Sequence, residues 1–188
     1  MKYYKFLREN GRSPYADYQW PLPTESEPGD WVEVEGKLVL CENGIHACRA
    51  GDLINWLGHS LYELEYAEEP EGSDNKVFGR KARLIRRVGA WNERTARLYA
   101  ADCAEHVAHL WQSSEGVTWK PADTIAVVRQ CANGNATSEE LAAAGDAAWA
   151  VVDAAGAARA AARAAAGAAE TEWQLARLLE VLRIEAEE

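Results

Sequence analysis

The chain has 188 residues, of which 48% are apolar and eight are tryptophan, enough for one full-sized core and too apolar for general disorder. Its formal charge of −10 argues against a general binder of nucleic acid or anionic membrane, because both need a basic field, and makes a protein partner the easier expectation. No apolar run approaches the roughly 20 residues that span a bilayer, and the opening MKYYKFLREN lacks the apolar stretch of a secretory signal. The expectation is a cytoplasmic protein whose Cys41, Cys48, Cys103 and Cys131 are reduced thiols.

In chain order, KYYKFLR predicts a strand over 2–8. The following YADYQWPLPTESEPGD is broken by Pro21, Pro23, Pro28 and Gly29, and its flanking Trp20 and Trp31 predict a loop lying over the core. WVEVEGKLVLC over 31–41 reads as a hairpin turning at Gly36-Lys37. The Asn43-Gly44 turn then leads to a helix at 48–57, with Asp52 as N-cap, Leu53, Trp56 and Leu57 buried, and Gly58 as stop. LYELEYA over 61–67 alternates, placing Leu61, Glu63 and Glu65 on one face and Tyr62, Leu64 and Tyr66 on the other, the aromatic face being the one expected inside. KARLIRRV over 80–88 pairs antiparallel to it. Acids cluster between Glu63 and Asp74 and bases between Lys76 and Arg87. That pattern fits cross-strand pairs of Glu63 and Glu65 with Lys81, Arg83 or Arg87, each worth about 0.2–1 kcal/mol; a basic strip for phosphate is the alternative.

Asn92 caps a predicted amphipathic helix over 92–111, with Ala96, Tyr99, Cys103, Val107 and Leu110 on its apolar face. A second helix opens at Pro121, buries Ile125 and Val128, and stops at Asn133-Gly134. From Ser138 onward the chain is Ala-rich, with Gly145, Gly156 and Gly167 each following Ala-Ala at an eleven-residue interval. Such a stripe permits close helix approach, or is an accident of low complexity. Trp173, Leu175, Leu178, Leu179 and Leu182 then restore an apolar face, covered by the N-terminal part or by a second copy, so a homodimer through these C-terminal helices is expected. The fold expected is α+β: a small antiparallel sheet with packed helices over residues 1–119, and an Ala-rich helical region over 120–188.

The stretch CENGIHAC, residues 41–48, raises a metal question. Cys41, His46 and Cys48, with Cys103 or His106 as a fourth donor, have the types zinc takes, but Cys-x4-His-x-Cys is not a zinc-knuckle spacing and buried thiols account for the cysteines. No metal site is therefore assigned. A Cys–His nucleophile at Cys41 or Cys48 lacks an orienting third group. The chain contains no GxGxxG, Walker, HExxH, GxSxG or CxxC motif, which removes the common nucleotide-binding, zinc-protease, hydrolase and thioredoxin signatures.

The series KYYKF, LCENGIHACRAGDLINW, LYELEY and KARLIRRV resembles a family of small domains carried by bacteriophages and bacteria, with the turn Gly-[Ile/Phe]-His-Ala-Cys at its centre. The resemblance covers residues 1 to about 110 and implies a phage-type accessory protein of the host-cell cytoplasm, without implying an activity. The order of elements also resembles mono-ADP-ribosyltransferases, which cradle NAD between two small sheets. That resemblance implies NAD as cofactor, Tyr3 or Tyr4 with His46 against the nicotinamide ribose, and Glu63 or Glu65 stabilising the oxocarbenium-like charge as the glycosidic bond breaks. Two readings follow: an ADP-ribosyltransferase-like enzyme acting on a macromolecule through His46, Glu65 and Glu63, and a non-catalytic acidic module that binds a host or defence protein.

Overall fold

The computed structural model describes residues 2–108, 120–144, 167 and 169–185. The architecture is α+β, and the chain packs as two units: residues 1–92 with 178–188, and residues 93–177. The break therefore falls where the first long helix begins, rather than at 119–120. Gly145 and Gly156 of the small-residue stripe, Leu110 of the predicted helix face, and most of the Ala-rich tail lie outside the described residues.

In the first unit the main sheet has four antiparallel strands in the order β1-β4-β7-β2: β1 is Tyr3–Leu7, β2 Val32–Glu33, β4 Ser60–Tyr66 and β7 Lys81–Arg87. A smaller sheet, β3-β6-β5, is built from β3 Ile45–Ala47, β5 Glu71–Gly72 and β6 Val77–Gly79. Tyr3, Leu7, Tyr62, Leu64 and Leu84 from the first sheet and Ile45, Ala47 and Val77 from the second form one core. Period-two alternation thus sends the aromatic face of β4 inward. Leu61 and Glu63 on its other face are buried as well. Tyr66 ties the two sheets together, its ring edge-on to Tyr3 with centroids 5.2 Å apart and its hydroxyl donating to the Ile45 carbonyl at 2.8 Å.

Loop 9–31 lies over this core at one of its two tryptophans. Trp20 is buried and donates its indole N–H to Ser13 Oγ at 2.9 Å, whereas Trp31 is partly exposed with the Arg83 guanidinium 4.6 Å from its ring centroid. A buried indole needs an acceptor, and the loop supplies one.

Three expectations are corrected. The 31–41 hairpin does not form: Val32–Glu33 pairs with β7, and Val39 makes a single bridge with Asn43. Instead Asn43 donates to the Glu35 and Lys37 carbonyls at 2.7 and 2.9 Å, and Gly36 and Cys41 take positive φ values of 82° and 66°. The Asn43 side chain satisfies carbonyls that a hairpin ladder would have used, and folds the segment into a compact turn. Second, Ile45–Ala47 is a strand, and the helix after it is a 3-10 segment, Ala50–Asn55, capped at Arg49 without a side-chain bond, so Asp52 is not its N-cap. Leu53 is fully buried while Leu57 is exposed. Third, β5 and β6 occupy what reads as a polar connection, because so short a strand carries too little pattern to detect.

The second unit pairs α1, Glu93–His106, with α2, Pro121–Ala132, beside helical residues 138–144 and the first part of helical residues 169–182. Pro121 opens α2, and Gly134, at φ 74°, ends it. Asp102 sits between Arg129 at 2.9 Å and Arg177 at 2.7 Å, and the His106 ring stacks on Trp173 at a centroid distance of 3.8 Å. Leu178, Leu179 and Leu182 belong to the first unit and are buried there.

Candidate functional site

The site grows out of a split in a β ladder. Tyr4 and Cys48 exchange both backbone hydrogen bonds, at 2.8 and 2.9 Å, which joins β1 to the end of β3. In an antiparallel ladder the next such pair would be Phe6 with His46. That pair is missing. The strands diverge, and Lys5 reaches across the gap to donate its ammonium to the His46 carbonyl at 2.6 Å. Because β1 turns alternate backbone groups outward, and Tyr4 spends its pair on Cys48 while Arg8 donates to Arg12 and accepts from Gly11, the outward N–H and C=O of Phe6 face the opening. Among the described residues no hydrogen bond satisfies them.

The split opens a cleft of about 170 Å³, the size of cavity that takes a single aromatic ring. Its walls are aromatic and apolar at Tyr4, Phe6, Tyr15, Trp56 and Leu57, and cationic at Lys5 and Lys76; among the described residues no Asp or Glu lines it. In a chain of net charge −10 this is a local inversion of sign. Trp56 is a fixed platform: its indole N–H donates to the Asn75 carbonyl at 2.7 Å, and the Lys76 ammonium lies 5.5 Å from its ring centroid. Tyr15 is 87% exposed and forms part of the rim.

His46 lines the cleft, but its ring nitrogens serve its own turn. Nε2 accepts the Cys41 N–H at 3.1 Å, and Phe78 stacks alongside at 5.8 Å. Nε2 is therefore the acceptor of the neutral ring, and Nδ1 carries its proton. Burial lowers its pKa below the ordinary histidine value, with Lys5 and Lys76 lowering it further. The ring is a clamp on residues 41–46 that offers the cleft a surface instead of a transferable proton. The stability it contributes is present above about pH 6.5 and lost as pH falls through its depressed folded-state pKa. Melting temperature followed from pH 7.5 down to 5 is therefore expected to drop more steeply in the wild type than in His46→Gln, which keeps an acceptor without the titration. Parallel curves would place the titrating group elsewhere.

The other residues expected at the site are dispersed. Tyr3 points into the core with its hydroxyl on Glu69 at 3.3 Å. Glu63 is buried, forked by the Arg86 guanidinium, with Lys2 at 3.8 Å, and faces a separate hollow of about 600 Å³ lined also by Tyr4, Val88, Leu182 and Ile184. Glu65 is paired with Arg83 at 2.5 Å. Tyr4 and His46 thus share the cleft, whereas Glu63 and Glu65 are absent from its lining because β4 pairs with the edge of β1 opposite to the one that opens towards β3. Lys5, Phe6, Trp56 and Lys76 were not singled out by sequence reasoning. Only the adjacency of a lysine to aromatic residues in KYYKF hinted at one of them.

Cys48 is buried, its thiol pushed up to about 12 by burial and by the charge of Asp52, and its Sγ lies 3.5 Å from the Tyr4 carbonyl oxygen. Cys41 is exposed, with Lys76 Nζ at 2.9 Å from its sulfur. Among the described residues no three His, Cys, Asp or Glu side chains gather as a metal ion would require, and no helix is long and apolar enough to cross a membrane. Comparison with protein-family models, with curated proteins and with solved structures finds no match.

Proposed function

We propose that the cleft between β1 and β3 binds a nucleotide-type ligand of the NAD class, and that the protein acts as a binding module of the phage-type accessory kind its sequence resembles. The observation that carries the reading is the lining: an aromatic slot with two lysines, no carboxylate, and an unmatched N–H and C=O pair on Phe6. A heteroaromatic ring stacks on Trp56, its amide or ring-edge groups complete the Phe6 hydrogen bonds, and the phosphates are drawn to Lys5 and Lys76. Binding is favoured over ADP-ribosyl transfer because Glu63 and Glu65 are committed to Arg86 and Arg83 outside the cleft, which leaves no carboxylate to oppose a developing oxocarbenium charge.

Calorimetric titration with NAD, ADP-ribose and AMP tests this. Trp56→Ala is expected to weaken the best of these ligands about tenfold or more, since stacking on an aromatic side chain is worth roughly 1–3 kcal/mol, and Lys76→Met to flatten the salt dependence. No heat of binding at millimolar nucleotide, with the protein folded, would remove the proposal.

A further inference from the structure

Lys5 has a second property that nucleotide binding does not use. Its side chain crosses the split and ends with Nζ on the His46 carbonyl and 5.2 Å from the Trp20 ring centroid. Among the described residues no carboxylate pairs with it. A lysine ammonium that has left water without a counter-ion is poorly stabilised, and its free amine is correspondingly accessible. Burial brings its pKa down to about 8, opposed only by the Cys48 thiol. His46 is the other titratable group next to it, held neutral in its turn, and Lys76 adds a second positive charge to the same lining.

We propose that Lys5 is a nucleophilic amine that condenses with small aldehydes carrying an anionic group, such as phosphorylated reducing sugars in their open-chain form, to give an imine within the cleft. The ammonium first releases a proton to solvent. The amine lone pair then forms a C–N bond to the carbonyl carbon as the C=O π pair moves to oxygen, and the carbinolamine so formed loses water to leave C=N. No oxidant or reductant is needed, and the step reverses by hydrolysis. Phe6 and Trp56 shield the imine from solvent, while Lys76 attracts the anionic group. The inference shares the cleft with the nucleotide reading but does not depend on it.

The test uses the full chain and pyridoxal 5′-phosphate as the probe, with borohydride added to reduce any imine to a stable secondary amine and peptide mapping to locate it. Lys5 is expected to be labelled at least tenfold faster than Lys2, Lys37, Lys81 or Lys120 at pH 8, with a rate that rises through an inflection near pH 8. Labelling of Lys5 at or below the rate of those lysines would overturn the proposal, since the comparison is made within one folded molecule. Pyridoxal without its phosphate is expected to react more slowly at Lys5; equal rates would overturn the anionic-group requirement. Lys5→Arg, checked for an unchanged melting profile, should lose the fast phase. Persistence of that phase would place it on another residue. Protection by NAD separates the two readings: fast labelling of Lys5 that saturating NAD does not slow leaves the imine chemistry standing and removes the nucleotide from the cleft.

Discussion

Leu84→Ala is expected to lower the free energy of unfolding by about 2–5 kcal/mol, the range for truncating a fully buried leucine that neighbours cannot replace. Leu84 has no exposed surface and lies opposite Leu64 in the β4–β7 pair, in the core formed by both sheets. Collapse around the void is hindered because β4 and β7 are pinned by ladder bonds and Tyr66 anchors the smaller sheet through the Ile45 carbonyl. Urea denaturation checks the value, with the m-value unchanged if only stability is altered. A loss below about 1 kcal/mol would mean that the two sheets do not enclose this side chain tightly.

Glu63→Ala is expected to cost about 1–3 kcal/mol, through loss of a charge-assisted pair at a buried acceptor. Glu65→Gln should cost no more than about 1 kcal/mol, because that pair with Arg83 is substantially open to solvent. The functional expectation is sharper than the energetic one. Neither substitution is expected to change nucleotide affinity at the cleft, since neither carboxylate lines it. If a glycohydrolase or transferase activity is found and Glu65→Gln abolishes it while the protein stays folded, the carboxylate works at another place and the binding reading gives way to the enzyme.

The split ladder also accounts for the sign of the cleft. β1 is an edge strand, and an exposed edge invites uncontrolled pairing. Here the edge is covered at Tyr4 by Cys48 and at Arg8 by Gly11 and Arg12, leaving one residue's backbone open between them. The lysine of β1 enters the gap, so the gap becomes both a hydrogen-bonding slot and a cationic one. A surface rich in acids elsewhere does not cancel this locally, because the cleft walls are low-dielectric aromatic and aliphatic groups that weaken screening.

Much of the sheet was legible because alternation over five to seven residues is a strong signal. β1, β4 and β7 fall within a residue or two of 2–8, 61–67 and 80–88, and their antiparallel pairing, the inward aromatic face of β4 and the Glu65–Arg83 pair follow from period two and charge. The start of α2 at Pro121 and its stop at Asn133-Gly134 follow from local backbone chemistry. β5, β6 and the strand Ile45–Ala47 do not, because two or three residues carry too little pattern, and neither does the Asn43-centred turn, because a side-chain amide that claims two carbonyls eight and six residues back outcompetes local propensity only once the turn is closed.

The candidate site divides in the same way. The sequence by itself determined a strand at KYYKF and a turn at Asn43-Gly44, while the pairing of Tyr3 or Tyr4 with His46 came only as what the resemblance to mono-ADP-ribosyltransferases implies. Only the tertiary structure decided that β1 and β3 separate after a single residue pair, that Lys5 fills the gap, and that Glu63 and Glu65 lie outside the cleft. Where two strands part depends on the packing of the two sheets they belong to, an energy summed over contacts distant in the chain, which no local pattern of residues encodes.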